Sequence, residues 1–131
     1  MFWRPAPRAV ETQGAFFEKL VADAGWICLV HDTDGFVDGF LIARVVAPPP
    51  VYDPGGKVCM IDDFVVVSPS LWSTVGAELR TEAERQAAEA GAVLSVTVCG
   101  QRDAAKRKAL LDTGSHVASE WYVRSIPRAA R

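Results

Sequence analysis

The residues with the most chemical capacity are few. Asp62 and Asp63 stand side by side within an apolar run and are the best proton acceptors in the chain. If that run is a strand, neighbouring side chains point to opposite faces, so only one of the two can face a cleft. The other is then solvated or paired with Arg44 or Lys57. His31 and His116 carry imidazoles whose ordinary pKa suits base work near neutrality, although each also fits a surface position. Tyr52, held among prolines, and Tyr122, near the C-terminus, are phenols able to give up a proton; Tyr122 equally suits core packing. Cys28, Cys59 and Cys99 form no CxxC pair and each lies within an apolar run. They read as free, buried thiols rather than nucleophiles. No metal site is expected from the spacing of these groups.

A second kind of chemistry lies in the stretch from Pro69 to Leu79, where an apolar strand runs into a helix. Ligands of open α/β sheets bind where a strand feeds a helix N-terminus, whose free N–H groups attract anions. Ser73, Thr74, Gly76 and Ala77 are small enough to let a phosphate approach the backbone. The same residues also fit an ordinary capped helix start.

These groups need elements to position them. Apolar residues at helical spacing predict a helix from Val10 to Ala24, stopped by Gly25. Trp26 to His31 and Phe36 to Val46 form a hairpin around the turn Asp32-Thr33-Asp34-Gly35. Ala47 to Gly56, with four prolines, is a loop. Val58 to Val67 is a third strand, apolar on both faces apart from the two aspartates, which implies a central position. A long helix runs from Ser70 to Ala90, followed by a fourth strand from Val93 to Cys99. A basic helix from Arg102 to Thr113, capped by Asp103, and a last strand from Val117 to Ile126 complete the order. Two crossover units joined to a hairpin predict an α/β (α+β) mixed sheet with helices on both faces, the third and fourth strands parallel. Residues 1–131 read as a single domain.

Composition narrows the function classes. The chain has 131 residues, half of them apolar, and 14 Lys+Arg against 16 Asp+Glu. A chain of this size buries roughly two-thirds of its unfolded surface without metal or disulfide staples. The absence of a basic excess argues against a nucleic-acid partner. No run of about 20 apolar residues or signal-like start argues for a membrane, so a cytoplasmic protein is expected.

The order of elements, the run Val67-Ser68-Pro69 before the strand-to-helix turn, and the ending Ser119-Glu120-Trp121-Tyr122-Val123 together resemble the GNAT family of N-acetyltransferases. The resemblance spans about residues 11–126. It implies a mostly antiparallel sheet with a splayed parallel pair, and acetyl or acyl transfer from acetyl-CoA to a small-molecule or peptidyl amine. It also implies a pantetheine arm along the strand edge at Val65, Val66 and Val67. The pyrophosphate would then lie on the turn Ser73, Thr74, Val75, Gly76 and Ala77, with Trp72 at its mouth and Arg102 near the adenosine phosphate. Asp62 or Asp63 would be the base, and Tyr122 is a candidate acid. The family's basic turn residue has no counterpart in either register, and Leu110 stands where its short helix often carries a tyrosine. The family's first strand and helix also have no counterpart, which leaves an apolar flank that a homodimer would cover. The competing reading is a GNAT-fold binding or interaction module without turnover, and a weaker one makes the proline loop a lid over an unrelated ligand.

Overall fold

The computed structural model describes residues 6–11, 13, 18, 19 and 25–129, so most of the helix expected from Val10 to Ala24 lies outside the described residues. Strands β1 (Trp26–Thr33) and β2 (Phe36–Val46) pair antiparallel. Asp34 and Gly35 turn the chain between them with φ of 52° and 84°, the left-handed conformation that a tight hairpin requires and that Asp-Gly adopts cheaply. Strand β3 (Lys57–Val66) pairs antiparallel with β2. A short 3-10 helix (Pro69–Ser73) and helix α1 (Val75–Glu89) then carry the chain across to β4 (Ala92–Thr97), parallel to β3, before helix α2 (Ala104–Asp112). The strand order is β1-β2-β3-β4, the mixed sheet with a parallel third and fourth pair that the sequence predicts.

One face of the sheet makes the core. Leu41 and Ala43 of β2 and Cys59 and Ile61 of β3 pack against Leu79, Ala83 and Ala87, which recur at helical spacing along α1. Each large aliphatic side chain buried there contributes about 1.5–3 kcal/mol relative to exposure. Two features differ from the sequence reading. The helix expected from Ser70 is broken in two: Pro69 starts a 3-10 turn whose Leu71 carbonyl accepts from Thr74, and the α-helix begins only at Val75. The strand expected from Val117 to Ile126 does not form. Its residues carry strand-type side chains, but that preference expresses packing on a sheet. Residues 115–129 pair with no strand among the described residues, and Trp121 and Ile126 remain 87% and 90% exposed.

Candidate active site

The site begins with one extra residue in β3. Ile42 pairs with Asp63 while Ala43 pairs with Ile61, so Asp62 is a bulge. A bulge bends its strand and ends regular pairing, and the parallel ladder to β4 stops at this point, with Ile61 opposite Thr97. Beyond it β3 runs on beside β2 to Val66 and leaves its other edge open. The splay expected of the parallel pair is therefore produced by Asp62.

The bulge also corrects the placement of the two aspartates. Ile61 and Phe64 both face the α1 side, so Asp62 and Asp63 share the opposite face instead of dividing between faces. Asp62 pairs with Arg44 at 3.4 Å, as one reading of the sequence anticipates. Asp63 is half-buried; its burial and the neighbouring Asp62 charge push its pKa above the usual carboxylate value, against the pull of Lys106.

Lys106 is the residue that sequence reasoning missed. Part of a helix read there only as basic, it is buried in the structure, 8% exposed. Its ammonium donates to the Phe64 carbonyl at 2.9 Å, on the strand edge that has lost its partner. It lies 5.5 Å from the Phe64 ring and 5.4 Å from the Trp72 ring, and those rings meet edge to face at 4.9 Å. Burial lowers the Lys106 pKa, while Cys99, Asp103 and Asp63 act to raise it. The signal was present in the sequence: Ala105, Lys106, Ala109 and Leu110 form the inward stripe of α2.

The strand-to-helix turn supplies donors. A helix cannot satisfy the N–H groups of Val75, Gly76 and Ala77 itself, and no side chain caps α1. Trp72 packs beneath the turn: a Cβ built on Gly76 would stand 2.8 Å from its ring, which is why glycine occupies that position. Ser73 and Thr74 are exposed; Val75 is buried against the core, and so is Gly76. On the strand, Val66 is buried and Val65 half-exposed, while the Val67 N–H donates to the Asp38 carbonyl.

The remaining candidates stand apart from this cluster. Tyr122 is 87% exposed and donates to Glu120 within its own segment. Arg102 and His116 are exposed. His31 bridges Asp38 at 2.6 Å and Glu78 of α1 at 2.8 Å, with Thr33 donating to the same Asp38 carboxylate. Tyr52 and the proline loop border a groove of about 540 Å³ on the face away from α1, lined by apolar residues including Val58, Met60, Leu94 and Val96. All three cysteines are free, and burial pushes the Cys59 and Cys28 thiols up, away from the reactive thiolate.

Solved structures share this fold. The aminoglycoside N-acetyltransferase AAC(6')-Iy in complex with CoA is similar at 15% identity, covering 92% of this chain and 90% of that one, with a TM-score of 0.71. The fold is that of the GNAT acetyltransferases. An aminoglycoside 6'-N-acetyltransferase from Acinetobacter haemolyticus shares it at 15% identity, covering 97% of this chain and 86% of the other, with a TM-score of 0.71. A putative acetyl transferase from Pyrococcus furiosus does so at 21% identity, covering 95% and 84%, with a TM-score of 0.70. At these identities the GNAT fold is what is shared. No family model matches the sequence, and no curated protein does.

Proposed function

We propose that this protein is an acyl-CoA-dependent N-acyltransferase that uses acetyl-CoA or a related thioester and an amine acceptor. The observation that carries the reading is the open edge of β3, created by the Asp62 bulge, beside the uncapped N-terminus of α1. An extended pantetheine arm completes a strand edge, and a pyrophosphate suits free helix N–H groups. The structural neighbour described above holds CoA. In this reading Val65 and Val66 line the arm, the turn from Ser73 to Ala77 holds the pyrophosphate above Trp72, and Arg102 stands on the side of the adenosine phosphate. When bound, the thioester supplies the electrophilic carbonyl. Asp63 takes the proton of the amine, directly or through one water, and its raised pKa makes it a stronger base than an ordinary carboxylate. The Asp62 charge adds to the rise that burial causes, and Tyr122 joins the site only if its segment folds over it.

The free thiols accord with a cytoplasmic enzyme, and the unpaired C-terminal segment accords with a homodimer in which a second copy covers it. Isothermal titration with acetyl-CoA is the direct test. Saturable binding is expected, and no heat at high micromolar ligand would leave the interaction-module reading instead.

A further inference from the structure

Resting on the proposed acyl transfer, we propose that the Lys106 ammonium is the proton donor to the departing thiolate. A thioester that surrenders its acyl group leaves an anionic sulfur, and a buried cleft must supply either a proton or a compensating charge at that atom. Among the described residues Lys106 is the buried side-chain cation, and its ammonium projects onto the open edge of β3 at the Phe64 carbonyl. One of the three donors of an ammonium is spent on that carbonyl, which leaves two for a ligand lying along the same edge. The two aromatic rings against it cover part of the ammonium and fix its position. The ionisable groups facing it are Asp63 from β3, Cys99 beyond β4 and Asp103 at the start of α2. The 3-10 helix contributes only the neutral Trp72.

The step balances without a further reagent. The amine lone pair forms the C–N bond, the C–S bond breaks, and its electron pair stays on sulfur. Lys106 passes a proton to the sulfur, giving the free thiol of CoA, while the surplus proton of the attacking nitrogen goes to Asp63. Exchange with water then returns Lys106 to the ammonium and Asp63 to the carboxylate.

Bound CoA itself is the probe, because its thiol reports the charge beside it without any acceptor amine. The thiolate absorbance of CoA is titrated on the wild type, Lys106→Met, Lys106→Gln and Lys106→Arg, with circular dichroism confirming the fold of each. On the wild type and Lys106→Arg the bound thiol should titrate about one pH unit or more below free CoA, yet acetylation by Lys106→Arg should fall at least tenfold, because a guanidinium holds the thiolate but has no proton to release; an undiminished rate overturns proton donation. On Lys106→Met and Lys106→Gln it should return to the free value while CoA still binds. Bound CoA that titrates like free CoA on the wild type, or an equal depression in the neutral variants, overturns the role of Lys106 and leaves acyl transfer standing. Failure of the wild type to bind CoA at all overturns both.

Discussion

Asp63 concentrates the pH behaviour expected of the site. Burial and the Asp62 charge raise its pKa, so acetylation should fall on the acid side of a limb lying above the ordinary carboxylate range. Asp63→Asn should lower kcat/KM by roughly 10²–10⁴-fold, the usual worth of a general base. Asp62→Asn should keep most activity and move the acid limb downward, because it removes the charge that disfavours a second carboxylate. A pH–rate series on the three proteins reads both effects. A carboxyl whose folded pKa is raised stabilises the fold below its unfolded pKa, and the contribution is lost as pH rises through the folded value. Asp63→Asn should therefore cost no stability at neutral pH, which thermal melts check. The two aspartates were legible as chemistry because carboxylates in an apolar strand need a reason. Their shared face was not, because a bulge leaves no mark in an alternation read two residues at a time. Lys106 shows the converse: residue type suggested solvent, and only its position on the inward stripe of α2 points to the core.

At the scale of elements, two contacts set the start of α1 in addition to its core packing. His31 fastens the β1–β2 hairpin to the first turn of α1 through Asp38 and Glu78. The Asp38 hydrogen bond first, and then that of Glu78, raise the His31 pKa above 6.5, so its contribution is full below 6.5 and is lost as pH rises through the folded value. The Thr33 hydrogen bond first, then that of His31, lower the Asp38 pKa below 3.8, so its share is present above 3.8 and is lost as pH falls through the folded value. The melting temperature of the wild type should exceed that of His31→Gln most between these limits, and the gap should close as the pH is made alkaline. Gly76 is the second contact. Gly76→Ala drives a methyl into the Trp72 ring, and overpacking of this kind costs about 1–3 kcal/mol. Urea unfolding should show that loss, together with weaker CoA binding, because the displaced ring underlies both the turn and Lys106. The hairpin, the crossover and the cap at Asp103 were legible, since Asp-Gly, helical spacing and an N-cap act locally; the Asp103 side chain does accept from the Lys106 N–H. The last strand was not, because a strand exists only where an edge receives it.

Across the whole molecule, one group of uncovered apolar side chains lies along β4 and in the C-terminal segment. Val93, Leu94 and Val96 on β4 and Val98 just beyond it are exposed, as are Trp121 and Ile126. An open strand edge and an unpaired strand-type segment invite pairing between chains. Sedimentation should show a dimer whose dissociation constant rises at least tenfold in a Trp121→Ser, Ile126→Ser double variant. Its affinity for CoA should stay unchanged, because neither residue touches the β3 edge. The bulge at Asp62 has a consequence for inheritance. In a strand without it, Ile61 and Phe64 would still lie two places apart and keep to the same side. Loss of that single codon would leave the hydrophobic interior intact while letting β3 and β4 zip together where the ligand enters. On the proposed reading, an acyltransferase and an inert scaffold of the same shape are then neighbours one deletion apart, and the step between them carries little penalty in foldability.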